Sequence, residues 1–152
     1  MADELDPIHK TVEVEVPMTE AFRLFTQEIG RWWPLGTYSV GRADATGCWV
    51  DGGPGGGIFE TTTDGARHRW GTIMTWDPPR RLALTWHPGR DPNDHTMLEV
   101  DFDAPSETRT RIELIHSGWR AGDEQRHRAH ARGWDEVLQD GFAAYVRSAA
   151  RS

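Results

Sequence analysis

The sequence predicts an α+β domain in which one curved antiparallel sheet of about seven strands packs against a long C-terminal helix. Three observations predict it: a strand followed by a helix near the start, a run of about six short strands over residues 46–117, and a long apolar stripe at helical spacing after Gly122. The turns between the short strands are too short for a crossover helix, so neighbouring strands must be antiparallel. One sheet closed by one long helix is a stable two-layer arrangement.

A change in the spacing of apolar side chains predicts the first strand and the first helix. Residues 8–16 alternate between apolar and polar side chains, which predicts a half-buried strand. Pro17 stands where the first turn of a helix tolerates it, and apolar side chains then recur at helical spacing until Gly30. The segment 31–36 is too short for more than a turn or one helical turn. One or two short helices therefore follow the first strand.

Glycine and proline mark the turns of the strand-rich region at residues 51–57, 64–65 and 77–79. The last hairpin also predicts a register. A three-residue loop at 104–106 would set Asp101 opposite Arg109, a pair of opposite charge. The apolar face of this hairpin is expected to be Leu98, Val100, Phe102, Ile112, Leu114 and His116.

The C-terminal segment predicts a helix of six or seven turns, because apolar residues follow one another there at steps of three and four. Gly133 and Gly141 lie on that stripe and lower the helix surface, so space for a ligand between helix and sheet is plausible. We find no linker or repeat. Residues 1–152 are expected to form a single domain with a core over about 8–148.

Charge and composition narrow the class of partner. The chain has 152 residues, a formal net charge of −7 and no Lys/Arg-rich run, which argues against nucleic acid. Its acidic start is unlike a signal peptide, and no apolar stretch approaches the roughly 20 residues that span a bilayer. We therefore expect a cytoplasmic protein with no membrane partner. Cys48 is the single cysteine, so the sequence predicts neither a disulfide nor a cysteine-based zinc site.

Several segments resemble a known family. They are residues 17–25, 31–34, 57–60, 70–73, 76–82, 85–86, 110–114 and 116–119, and Gly133-Trp134 with Leu138 and Phe142. In this order they resemble the SRPBCC or START-like helix-grip superfamily, and within it the homologues of the activator of the ninety-kilodalton heat-shock chaperone's ATPase. The resemblance implies a seven-stranded antiparallel sheet gripping a long helix. The superfamily it resembles includes lipid carriers, hormone receptors, cyclases and chaperone cofactors, so the resemblance implies no single function. Chaperone activators proper look like two-domain proteins, of which this chain matches one domain, the C-terminal one.

Motifs for nucleotide, metal and nucleophilic chemistry are missing from the sequence. No Lys-Ser/Thr follows the glycine-rich loop at 52–57, and no Gly-x-Ser-x-Gly occurs. His127 and His130 are three residues apart on the helix, but arginines surround them and the zinc-hydrolase pattern is not present. We expect no metal and no cofactor, and the sequence leaves open whether any reaction is catalysed.

Tryptophan is the residue type that suggests a function. Eight tryptophans in so short a chain can build a core, line a cavity, or do both. Each residue taken alone is compatible with plain packing, whereas the set favours a cavity. The predicted ligand-binding residues are Trp33, Trp49, Phe59, Glu60, Trp70, Trp86, Leu98, His116, Trp134 and Leu138.

Three functions remain open. The leading hypothesis is a domain that binds a small apolar or aromatic molecule between sheet and helix, oriented by His116. The second is a protein-binding module, acting on a chaperone or another protein through residues 32–34 and Trp119 in exposed loops. The third is a cyclase-like or hydrolase-like enzyme with His116 as general base. A homodimer stays possible under each of them.

Overall fold

A seven-stranded antiparallel sheet forms the body of the protein in the computed structural model, which describes residues 5–149. It is curled into a half-barrel, and its strands follow the order β1-β7-β6-β5-β4-β3-β2. The strands are β1 (Ile8–Val14), β2 (Ala45–Asp51), β3 (Gly57–Thr62), β4 (Arg67–Asp77), β5 (Arg81–Trp86), β6 (Thr96–Ser106) and β7 (Arg109–Ser117). The predicted fold class is confirmed.

Two short helices follow β1, as predicted: α1 (Met18–Gln27) and α2 (Ile29–Trp32). The α1 helix begins after Pro17 and buries the apolar side chains that recur at helical spacing. Gly30 lets α2 approach the sheet closely, since a Cβ there would lie 2.6 Å from the carbonyl oxygen of Cys48 in β2. The edge strand β2 is thereby covered by α1 and α2.

The C-terminal helix, residues 124–149, runs as three continuous stretches. They are α3 (Glu124–Asp135), a π-helical stretch (Glu136–Ala143) and α4 (Ala144–Ala149). Its apolar stripe packs on the inner face of the sheet. There the ring centroid of Phe25 in α1 lies 5.1 Å from that of Phe142 in the helix and 5.6 Å from that of Phe102 in β6. Among residues 5–149, no helix is both long and apolar enough to cross a bilayer.

The predicted register of the last hairpin is wrong, although its predicted core face is buried. The strands β6 and β7 join at a two-residue turn, 107–108, and not at a loop over 104–106. Asp101 therefore lies opposite Glu113, and its carboxylate accepts a hydrogen bond from Arg81 of β5 at 2.8 Å. The side chains keep their faces because the register differs from the predicted one by an even number of residues.

Candidate functional site

A cavity of about 350 Å³ lies between the inner face of the sheet and the C-terminal helix. Its walls come from three parts of the chain: β4 and β5 of the sheet, the segment after α2, and α3 with the start of the π-helical stretch. We call residues 34–44 the cavity loop, because Thr37, Tyr38, Ser39 and Arg42 all line the cavity. The volume is at the lower end of the range for small-molecule sites.

Four tryptophans form the aromatic wall of the cavity: Trp33, Trp70, Trp86 and Trp134. Their ring centroids lie close together, with Trp33 5.0 Å from Trp70 and Trp86 5.4 Å from Trp134. Hydrogen bonds fix three of the four indoles. Trp33 Nε1 donates to the Tyr38 carbonyl at 2.6 Å, Trp70 Nε1 to Glu60, and Trp134 Nε1 to His116. The protein itself thus holds most of this apolar wall in place.

The buried carboxylate of Glu60 anchors the cavity loop to the sheet. It accepts hydrogen bonds from the backbone N–H groups of Val40 at 2.8 Å and Gly41 at 2.7 Å, and from Trp70 Nε1 at 2.6 Å. Gly41 is needed for this approach, because a Cβ there would lie 2.4 Å from a methyl group of Thr62. Glu60 therefore lies behind the wall and positions both the loop and one indole.

Tyr38 joins the cavity loop to the C-terminal helix. Its hydroxyl donates to Glu136 at 2.8 Å, and its ring packs on Gly133, where a Cβ would lie 3.0 Å from Tyr38 Cε1. Burial and the bond to Glu136 raise the pKa of Tyr38, so the phenol stays protonated. The Tyr38 ring therefore fills the space beside Gly133, where the sequence suggested room for a ligand.

His116 is a fully buried residue with both ring nitrogens in use. Its Nδ1 accepts from Trp134 Nε1 at 3.0 Å, so its Nε2 carries the proton and donates to Thr96 Oγ1 at 2.6 Å. Burial, with the positive charge of nearby Arg126, lowers the pKa of His116 to about 2. The ring is a neutral bridge between β6 and the helix and has no lone pair left for a substrate proton.

His130, one helical turn before Trp134, is the histidine that lines the cavity. Its Nδ1 donates to the carbonyl of Arg126 at 3.0 Å, which leaves Nε2 as the acceptor nitrogen. Burial lowers the pKa of His130, so the ring is neutral at pH 7. Within residues 5–149 no group hydrogen-bonds to that Nε2. His130 is absent from the ligand-binding residues that the sequence predicts. Its spacing of four residues from Trp134, however, indicates that the two side chains share one face of the helix.

The remaining predicted site residues lie elsewhere. Leu98 and Leu138 are buried in the core beside the cavity wall. Trp49 and Phe59 lie on the outer face of the sheet, with ring centroids 5.6 Å apart and the Arg69 guanidinium 4.5 Å from the Phe59 centroid. The alternation of β3 explains this correction, because Glu60 faces inward and its neighbour Phe59 must face outward.

The tryptophans predicted to form an exposed docking patch are buried as well. Trp32 and Trp33 are 5% and 8% exposed, and Trp119 is 0% exposed. The Trp32 indole donates to the Leu24 carbonyl at 3.0 Å, and the Trp119 indole donates to the His116 carbonyl at the same distance. These side chains stabilise the domain from within and offer no surface to a partner.

Comparison with protein families gives a match over most of the chain. The family described as Activator of Hsp90 ATPase homolog 1-like protein matches residues 15–147. The chain belongs to this family. No curated protein gave a significant match.

Solved structures similar to this member of the Activator of Hsp90 ATPase homolog 1-like family include a synthase and an HSP90 activator. Anthrahydroquino-gamma-pyrone synthase Txn09 is 34% identical with a TM-score of 0.55, and the alignment covers 76% of this chain and 79% of that one. Protein NE0264 from Nitrosomonas europaea is 16% identical with a TM-score of 0.69, covering 96% and 97%. An HSP90 activator from Plasmodium falciparum is 18% identical with a TM-score of 0.62, covering 96% of both chains. The last two likenesses show the fold alone.

Proposed function

We propose that this domain binds a small aromatic molecule in the cavity between the sheet and the C-terminal helix. The observation that carries the proposal is the wall of four tryptophans, three of them fixed by hydrogen bonds to the protein. Rigid aromatic walls favour flat apolar ligands, because little side-chain entropy is lost on binding. Burying ~150–250 Å² of such a ligand supplies about 4–6 kcal/mol before the ordering costs of binding.

The test uses 2-naphthamide, a neutral flat probe, measured by isothermal titration calorimetry. Trp86 is the residue to change, because its indole N–H is buried without a hydrogen-bond partner among the described residues. Trp86→Phe therefore removes aromatic surface from the wall and breaks no hydrogen bond. We expect it to weaken binding of the probe about three- to tenfold, because about 25–55 Å² of apolar contact between the indole and the probe is lost.

Trp49→Phe is the matched control, since it makes the same chemical change on the outer face of the sheet, where Trp49 is 37% exposed. It should leave the affinity for 2-naphthamide unchanged. The proposal fails if the wild-type protein does not bind the probe, or if both substitutions weaken binding equally.

A second candidate function is a ring-forming enzyme that uses the same cavity. The 34% identity to an anthrahydroquino-gamma-pyrone synthase favours it. His130 is the residue suited to act as general base, because it lines the cavity and the Nε2 atom of its neutral ring is the acceptor nitrogen. With an open-chain precursor of such a pyrone as substrate, His130→Gln should abolish turnover and retain binding of 2-naphthamide. Turnover unchanged by this substitution would remove His130 from the mechanism.

The chaperone-module hypothesis finds less support in this chain. The likeness to the Plasmodium falciparum activator is at 18% identity. The tryptophans expected to dock on a partner are buried. The ligand-binding proposal is therefore the one that the geometry supports best.

A further inference from the structure

We propose that the aromatic ligand carries an anionic group, a carboxylate in its simplest form, and that Arg42 on the cavity loop recognises it. This inference rests on the proposed function, since it names the ligand class of the same cavity.

The cavity wall is free of acidic side chains in a chain that is acidic as a whole. The chain holds 24 Asp and Glu residues against 17 Lys and Arg. Among the described residues that line the cavity, the ionisable ones are Tyr38, Arg42 and His130. Glu136 is nearby, but its carboxylate accepts the hydroxyl of Tyr38 and is not part of the wall. Since His130 is neutral, Arg42 supplies the one full charge, and that charge is positive.

Arg42 is available for a ligand. Some arginines of the described chain are held by carboxylates, as Arg81 is by Asp101 and Glu99, and Arg126 by Asp123. Arg42 is exposed, and within residues 5–149 it forms no ion pair. A guanidinium presents a planar fork of donors that matches the two oxygens of a carboxylate.

The backbone holds Arg42 in an unfavourable conformation. Its φ is 50°, while the other described residues with positive φ are all glycines. A side chain with a Cβ is disfavoured in this left-handed region. The loop is nevertheless locked there, because the Arg42 N–H donates to Ser39 Oγ at 2.8 Å and the Gly41 N–H donates to the buried Glu60 at 2.7 Å. Strained residues of this kind are concentrated at ligand-binding sites.

The aromatic wall and the arginine together describe the ligand. A flat ring system would lie against the four tryptophans, and its acidic group would meet Arg42 at the exposed side of the cavity. Burial of the ring supplies most of the affinity, and the charge selects among aromatic molecules of equal size.

The test compares 2-naphthoate with 2-naphthamide, two probes of nearly equal shape that differ in charge. Binding to the full chain is measured by isothermal titration calorimetry at pH 7.5 and low ionic strength. We expect the wild-type protein to bind the naphthoate about fivefold more tightly than the amide. Arg42→Gln should bring the two affinities together, because the naphthoate loses its charged partner, and continued binding of the amide shows that the variant is folded. Arg147→Gln, which removes an exposed charge at the far end of the C-terminal helix, should keep the preference.

Two results would overturn the inference and leave the proposed function standing. Equal affinities of the wild-type protein for the two probes, or a preference for the naphthoate that survives Arg42→Gln, would show that Arg42 does not select an anion, while the aromatic cavity would stand. Failure of both probes to bind would contradict the proposed function itself, and the inference with it.

Discussion

At the scale of single residues, Glu60 has the largest effect on the geometry of the cavity. Its carboxylate accepts three N–H groups and is 0% exposed. The sequence placed this side chain on the inner face of a strand as a ligand contact. In the structure it is instead the hydrogen-bond acceptor that holds the cavity loop and Trp70. Its two partners in the loop lie 19 and 20 residues earlier in the chain, and the apolar–polar alternation of a strand does not predict such distant hydrogen bonds.

Replacing Glu60 by Gln should destabilise the domain by about 2–4 kcal/mol, since an amide nitrogen cannot accept the N–H groups that the carboxylate accepts. Urea denaturation followed by circular dichroism measures the change. Glu107→Gln, in the exposed turn between β6 and β7, is the control and should fall within about 0.5 kcal/mol of wild type. A Glu60→Gln protein as stable as the control would mean that the loop needs no such anchor.

At the scale of elements, the C-terminal helix departs from its predicted form in one respect. The helical spacing of its apolar residues predicted its length, and the stretch Glu136–Ala143 is π-helical within it. The widened stretch begins just after Trp134 and includes Val137, which lines the cavity. A π-helical stretch follows from contacts of the finished fold and has no sequence signature of its own, although such stretches are frequent at functional sites.

The two glycines of this helix should respond differently to alanine. In a free helix, Gly→Ala stabilises by about 1 kcal/mol. A Cβ at Gly141 would lie 2.9 Å from the backbone oxygen of Trp32, which cannot move without shifting α2. We expect Gly141→Ala to cost about 1–3 kcal/mol in a urea titration despite the helix propensity.

At Gly133 the neighbour is the ring of Tyr38, which can give way by a few tenths of an ångström. Gly133→Ala should therefore be tolerated better than Gly141→Ala and should weaken 2-naphthamide binding by moving the cavity loop. Equal costs for the two substitutions would show that the tightness of these contacts is not what selects glycine.

At the scale of the whole molecule, buried neutral histidines make stability depend on pH. Burial lowers the pKa of His87, His116 and His130. Below the ordinary histidine pKa of about 6.5 the unfolded chain takes up protons that the folded chain refuses, so the free energy of unfolding falls as the pH falls. Each such group contributes a slope of up to about 1.4 kcal/mol per pH unit below that value.

Urea titrations at pH 7.5, 6.5 and 5.5 measure this slope. In His116→Gln the amide can accept from Trp134 and donate to Thr96, so the fold persists, and the slope between pH 6.5 and 5.5 should shrink by about 0.7 proton. Trp49→Phe, on the outer face of the sheet, changes no titrating group; it is the control and should leave the slope as in wild type. A His116→Gln slope equal to that of wild type would mean that this ring is not kept neutral by the fold.

The sequence by itself determined the order of strands and helices and the side chains that face the core. A period of two or of 3.6 residues decides which face is apolar, and burying that face dominates the stability of a small domain. Tertiary structure alone decided which buried residues meet. Trp70 occupies a bulge between Arg69 and Gly71 in the pairing of β3 with β4, and Glu60 of β3 holds the backbone of the cavity loop through the Gly41 N–H. Such bulges and contacts across loops arise from packing between distant segments, which local periodicity does not encode.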